Sequence, residues 1–288
     1  MEMHRIKKLN ILITGGNGFI ARNIYKKLKD THNVYLTNRQ TLDVLDKDQV
    51  DKFFDNHKID IVIHTAVSGG SRTKQDNIHA LINNLVMFNN LTQNKHKFGH
   101  LIYFGSGAEF DRRTDISSAR EDDESCPADY YGLSKKIIKK EIDKIENFYN
   151  LRIFGCFGVD EIDTRFIKSA VKNVKEGNPI QIHQNRYMDF IYIEDLCKVV
   201  VYYIENITKK DLPKDVNLCY NKSKSLLDVA NKINHLMGNA YDNVKVNQSG
   251  LYTEYTGNGD RLQSLGLELL GLDEGLKIVI QWQKASMN

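Results

Sequence analysis

ILITGGNGFIARNIYKKL, residues 11–28, changes period in mid-course, and that change decides the fold. The first part is a short apolar run ending in glycine, which suits a strand buried on both faces of a sheet. The last part places Ile20, Ile24 and Leu28 four residues apart, the pattern of an amphipathic helix. Between them, Thr14–Ala21 is a glycine-rich turn. Gly15 permits a tight reversal, and Gly18 lets an anion approach backbone N–H groups at a helix start. Ala21 stands where the helix must lie close to the strand. A plain turn is the alternative reading. With a strand before it and a helix after it, the stretch reads as a dinucleotide-binding turn. Gly15, Asn17, Gly18, Phe19 and Ile20 are then the expected cofactor contacts.

Working outward, the alternation continues. NVYLTN (33–38), IDIVIHTAV (59–67), HLIYFGS (100–106) and LRIFGCFG (151–158) read as strands, and 46–57, 79–94 and 130–147 as helices. Such alternation predicts an α/β chain with a Rossmann-type doubly wound parallel sheet, its ligand beyond the carboxyl ends of the strands. The expected domains are residues 1–158, with 190–220 returning to them, for the cofactor, and a smaller C-terminal lobe of 159–189 and 221–288 for the substrate.

Composition narrows the partners. The 288 residues are 41% hydrophobic and 27% charged, usual for a globular protein, and the net charge of +3 is spread among interspersed lysines and acids. No nucleic-acid partner is expected, because no basic patch is concentrated enough. No apolar run approaches the roughly 20 residues that cross a bilayer. MEMHRIKKLNILITGG moves from a basic start into a strand and lacks the pattern of a signal peptide, so a cytoplasmic protein is expected. Cys126, Cys156, Cys197 and Cys219 form no CxxC pair. Buried free thiols are expected, and no metal site.

After the second strand come Thr37, Asn38 and Arg39, where an acid would favour the ribose 2′-hydroxyl of NAD. Asn38 and Arg39 instead suit the 2′-phosphate of NADP(H), a solvated arginine being the plain alternative. In YYGLSK (130–135) only Tyr131 stands one helical turn before Lys135. A free tyrosine titrates near pH 10, so acid–base work at neutral pH needs a cation close by, and Lys135 supplies one. Ser106 ends the preceding strand.

At this point TGGNGFIA, LDVLD (42–46), HTAV (64–67), NNLVMFNNL (83–91), FGSGAEF (104–110), YGLSK, LRIFGCFG and DFIYIEDL (189–196) together resemble the extended short-chain dehydrogenase/reductases, the NAD-dependent epimerase/dehydratase family. The resemblance implies Ser106, Tyr131 and Lys135 as the catalytic triad. It also implies Asp43 and Val44 near the adenine, and Ala66, Val67 and Phe154 beside the cofactor. Arg165 and Arg186 would hold the diphosphate of a nucleotide sugar, with Arg261 as a further candidate, and Ser106 and Tyr131 would touch its sugar. Asn84 would help tie the site together, Glu109 would line its rim, and His64 would be structural. Helices 79–94 and 130–147 would pair in a homodimer. Trp282 is expected to anchor a C-terminal helix.

Absences refine the activity. Dehydratases of the family follow the serine or threonine with Asp-Glu, where this chain has Gly107 and Ala108. The 34–70 region looks most like that of GDP-L-fucose synthase and its relatives, which reduce 4-keto-6-deoxy sugars with NADPH. The cysteine and histidine with which fucose synthases epimerise fall at Ala108 and Arg165. What remains is 4-keto reduction without epimerisation. A UDP-galactose-type 4-epimerase is the enzymatic alternative, opposed by Arg39 and by Gly155 in place of an asparagine. A non-catalytic NADP-binding regulator is the other, opposed by the intact Tyr131–Lys135 pair.

Overall fold

The computed structural model describes residues 8–70, 75–209, 211–238 and 243–285. Most of the basic lead-in of the sequence reading, residues 1–7, lies outside the described residues. The chain runs β1 (Asn10–Thr14), α1 (Phe19–Leu28), β2 (Asn33–Leu36), α2 (Lys47–Asn56), β3 (Ile61–His64), α3 (Ile78–Gln93), β4 (His100–Ser106), β5 (Ile116–Ala119), α4 (Tyr130–Asp143) and β6 (Phe148–Ile153). It continues with β7 (Cys156–Phe157), α5 (Phe166–Lys175), β8 (Ile180–Asn185), β9 (Tyr187–Met188), β10 (Ile191–Tyr192), α6 (Ile193–Glu205) and β11 (Asp215–Leu218). Last come β12 (Lys224–Ser225), α7 (Leu226–Met237), β13 (Val244–Leu251), β14 (Tyr255–Gly257), α8 (Asp260–Ser264) and α9 (Gly271–Ala285).

The central sheet has six strands in the order β11-β6-β4-β3-β1-β2. β1 pairs in parallel with both β2 and β3, and β3 with β4. From β1 the chain first adds β2 on one side, then crosses to add β3 and β4 on the other. That reversal opens the crevice in which such sheets bind ligands. Every residue of β1 from Ile11 to Thr14 and all of β3 are buried, as expected of strands covered on both faces. Leu12, Val50, Phe54, Val62, Phe88, Leu91, Leu101, Ile138 and Ile142 belong to one apolar core.

Two compact units divide the chain: residues 1–109, 125–151 and 200–215, and residues 110–124, 152–199 and 216–288. Segments 110–124, 152–158, 190–199 and 216–220, grouped with the cofactor-binding half in the sequence reading, thus lie in the second unit. That unit holds a four-stranded sheet, β12-β9-β14-β5, and the pairs β10-β7 and β13-β8. Its strands are short and pair residues far apart in sequence, as Ile116 does with Tyr255. Alternation along the chain cannot reveal such pairs. Asp195, fully buried in α6, accepts the N–H groups of Leu270 and Gly271 at 2.9 Å and the hydroxyl of Tyr220, joining three distant segments.

Three expectations need correction. α4 ends at Asp143 rather than 147, because Lys214 Nζ donates to the carbonyls of Ile142, Asp143 and Ile145 and satisfies the helix end there. Trp282 is 44% exposed. The apolar stripe of α9 runs through Leu276, Val279 and Ile280 and leaves the indole at its flank, with Lys168 Nζ 5.1 Å from the ring centroid. The four cysteines are free, but Cys126 is exposed and Cys156 only half-buried. In α3 and α4, Phe88, Ile138 and Ile142 turn into the core, while Ile78 and Ile82 are exposed. Among the described residues no helix is long and apolar enough to cross a membrane.

Candidate active site

The turn after β1 is shaped by contact as much as by glycine content. Gly15 has φ +72°, and a Cβ there would fall 2.7 Å from Ala66 N, so β3 closes against the turn at the sheet's reversal. Gly16, to which the sequence reading gave no role, is equally constrained. A Cβ there would lie 2.8 Å from Leu36 Cγ, and its N–H donates to Thr37 O at 2.6 Å. Gly18 is the N-cap of α1, with extended backbone and no side chain capping the helix. Asn17 and Gly18 are exposed, and Phe19 and Ile20 half-buried. An uncapped helix N-terminus beside bare glycine backbone can hold a phosphate through its N–H groups. The turn therefore fits the pyrophosphate of a dinucleotide.

The loop after β2 is self-tied. Asn38 Oδ1 accepts the Gln40 N–H at 2.9 Å, and Asn38 Nδ2 reaches Asn17 Oδ1 at 3.4 Å. Arg39 is 77% exposed, with its Nε 3.9 Å from Asp43 Oδ2. The arginine is thus not free of a carboxylate, as its immediate neighbours in sequence suggested, because the turn brings Asp43 back beside it. Val44 packs into the core, Ala66 is half-buried, and Val67 is exposed. His64 is structural in geometry: its Nδ1 lies 2.8 Å from Thr14 Oγ1, and burial pushes its pKa down to about 3, which keeps it neutral.

Around the carboxyl end of β4 lie Ser106, Lys135 and Tyr131, the three residues expected as a triad. Asp129 caps α4 by accepting the Gly132 N–H at 2.8 Å. That start turns Tyr130 outward, 43% exposed, and Tyr131 inward. Lys135 is 5% exposed, its Nζ donates to Phe104 O at 2.7 Å, and it lies 5.5 Å from the centroid of the Tyr131 ring and 4.4 Å from that of Tyr103. Two residues beyond Phe104, the buried Ser106 has its Oγ oriented by the Ala108 N–H at 3.2 Å. Burial lowers the Lys135 pKa to about 7, while the charge of Glu109 acts to raise it. Two hydroxyl side chains and an amine thus lie about the end of β4, and groups of these types can exchange a proton with an alcohol or ketone.

Several neighbours escaped the sequence reading. Gly132 lies so close to Ala108 that a Cβ would fall 2.1 Å from the Ala108 carbonyl oxygen. Gly70, with φ +75°, meets the Tyr131 ring directly, a Cβ there falling 2.9 Å from Cζ. Ser134 Oγ donates to Tyr131 O and accepts from Asn84 Nδ2, which also donates to Ser68 O. Asn84 thereby ties the 68–70 loop to α4. Glu109, expected at a rim, is 1% exposed, because the short 3-10 turn Gly107–Glu109 folds its side chain under Ser106. For Gly70 and Gly132 the sole sequence signal was a glycine flanked by SG or Y, whereas Asn84 and Glu109 came with the resemblance.

Phe154, Arg165 and Arg186 belong to the second unit. Phe154 is buried, its ring 5.3 Å from that of Tyr255 and under Gly257, whose Cβ would fall 2.3 Å from the ring. Arg165 is the N-cap of α5 and half-buried. Arg186 lies over the rings of Tyr252 and Tyr255, at 5.1 and 5.5 Å, and among the described residues its buried Nε and Nη2 have no hydrogen-bond partner. Buried donors of this kind call for an acceptor from outside the chain. Arg261 is instead taken up by Glu121 and Asp122.

The sequence pattern of the NAD dependent epimerase/dehydratase family matches residues 11–219. The chain belongs to this family. Among curated members it is similar to the GDP-L-colitose synthase of Yersinia pseudotuberculosis, 25% identical over 264 residues, covering 80% of this chain and 82% of that one. A putative UDP-glucose 4-epimerase of Methanocaldococcus jannaschii is 25% identical over 311 positions, covering 95% of this chain and 98% of that one. In fold the chain is similar to the GDP-mannoheptose C4 reductase of Campylobacter jejuni solved with NADP bound, at a TM-score of 0.79, 22% identity, and coverage of 98% and 99%. By their names, these relatives act on nucleotide sugars, and the C4 reductase structure holds NADP.

Proposed function

We propose that the protein reduces a nucleotide-linked 4-keto-6-deoxy sugar to the 4-hydroxy sugar with NADPH. The observation that carries this reading is the turn after Ser106. Gly107 and Ala108 cannot move a proton, and the one carboxylate of the turn, Glu109, is buried with its Oε1 on the Ser106 N–H at 3.1 Å. No group of that turn is left to eliminate water or invert a neighbouring carbon. In this reading the Tyr131 hydroxyl gives its proton to the substrate oxygen, and the Ser106 hydroxyl hydrogen-bonds the same atom. Lys135 lowers the proton affinity of Tyr131 and reaches toward the cofactor ribose. Bound NADPH supplies the hydride that the carbonyl carbon receives. Residues Gly15–Ile20 hold the pyrophosphate, Arg39 and Asn38 the 2′-phosphate, and Arg186 and Arg165 the substrate diphosphate. The reading has support from the similarity to a GDP-L-colitose synthase and to a GDP-mannoheptose C4 reductase.

NADPH oxidation followed against a panel of 4-keto sugar nucleotides tests it. Turnover with at least one is expected, and none with the corresponding 4-hydroxy sugars. The Arg39–Asp43 approach favours one second reading, an NAD-dependent 4-epimerase, because a carboxylate near the ribose suits an unphosphorylated 2′-hydroxyl. Release of NAD on denaturing the purified protein, with interconversion of 4-hydroxy epimers, would replace the first reading by the second.

A further inference from the structure

Glu109 does more than leave the site without a base. A carboxylate in a protein core is costly unless it is paired. Its Oε1 takes the Ser106 N–H at 3.1 Å, and a Cβ on Gly105 would fall 2.6 Å from the same oxygen, so the carboxylate lies over the backbone at the end of β4. Lys135 docks on that same stretch, with Nζ on Phe104 O at 2.7 Å. Peptide groups two residues apart in an extended strand face one edge, so Phe104 and Ser106 present ammonium and carboxylate along a common edge.

The titratable groups facing Lys135 come from four elements. Tyr103 lies on β4 and Tyr131 on α4, with ring centroids 4.4 and 5.5 Å from Nζ. His64 lies on β3, and Glu109 on the 3-10 turn after β4. Burial keeps His64 neutral and pushes Tyr103 well above its usual range. Of these four, Glu109 is the group whose charge opposes the desolvation of Lys135.

We propose that Glu109 is a positioning residue: its carboxylate fixes the Ser106 turn through the Ser106 N–H and is the internal counter-ion that keeps the Lys135 ammonium charged beside Tyr131. Its value to catalysis rests on the reductase reading, but the charge coupling does not.

The test separates the two. Glu109→Gln keeps an acceptor for the Ser106 N–H and loses the charge. In protein with isotope-labelled lysine and no cofactor, the Lys135 side-chain signal is identified by its loss in Lys135→Met and titrated by NMR. Glu109→Gln is expected to lower the Lys135 midpoint by about one pH unit or more, and Glu109→Asp to restore most of it. An unchanged midpoint in folded Glu109→Gln overturns the proposal, whatever the substrate. If Glu109→Gln does not fold, it is combined with Lys135→Met. Recovery of folding supports the counter-ion, since removing the ammonium removes the need for it, and failure in both backgrounds overturns it. A lowered midpoint in a protein that oxidises NADPH with no 4-keto sugar leaves the charge coupling standing and removes only the reductase reading.

Discussion

Tyr130 and Tyr131 are adjacent in sequence and about a quarter-turn or more apart on α4. Tyr131→Phe is expected to lower kcat at least 10²-fold while leaving cofactor affinity nearly intact, because a positioned proton donor is lost and the ring is kept. Tyr130→Phe should be close to neutral, as an exposed ring allows. Steady-state kinetics of both variants check this, and the reverse ranking would remove the triad. Arg39→Ala should weaken NADPH binding more than NADH binding. With the side chain 77% exposed, the expected difference is modest, about twofold to fivefold, since exposed charge contacts are weak. Equal losses for the two cofactors in a binding titration would leave the 2′-phosphate without its proposed partner. Lys135 makes a pH-dependent prediction. Its pKa falls from 10.5 to about 7 on burial, so below pH 7 folded and unfolded chains both carry the proton, and folding bears the whole cost of burying it. Between those values the unfolded chain binds more protons, and stability rises with pH. The stability of Lys135→Met relative to the natural protein should therefore be higher at about pH 6 than at about pH 9. Denaturant titrations at both pH values measure this, and a pH-independent difference would contradict it.

At the scale of elements, α4 carries the site because of how it begins and what lies against it. Asp129 sets its first turn, and Gly132 lets the Ala108 carbonyl come within ordinary contact of the helix backbone. Gly132→Ala would put a methyl 2.1 Å from that oxygen, so helix or turn must shift. The cost should be about 1–3 kcal/mol, as for overpacking elsewhere, with loss of activity from the displaced Tyr131 or Ser106. Urea midpoints and kcat measured together check this, and an unshifted midpoint would show that the turn yields freely. The helix was legible from its apolar spacing, but its end was not. Lys214 closes it from 71 residues away, and no local pattern announces such a partner. Trp282 was misread for a related reason. Aromatic size suggested an anchor, but the stripe it flanks was chosen by the surface that α9 covers.

On the scale of the whole molecule, Asp195 shows how remote segments stabilise one another. Asp195→Ala would leave the N–H groups of Leu270 and Gly271 and the Tyr220 hydroxyl without their acceptor. A loss of about 1–3 kcal/mol is expected, mostly from the Tyr220 hydroxyl, read as a lowered denaturation midpoint. A loss within experimental error would show that α9 starts without it. The alternation of β1 to β4 and β6 with α1 to α4, the glycine turn and the Tyr131–Lys135 register were all readable along the chain, whereas β5 was not. Each rests on residues within a few positions of one another, where period and steric freedom are local properties. The strand order, the burial of Glu109, the approach of Asp43 to Arg39, and the close contacts at Gly16, Gly70 and Gly132 were decided by the tertiary structure. In each case the deciding neighbour arrives from another element or by a turn, and desolvation and close contact depend on that arrival rather than on the residue's own type.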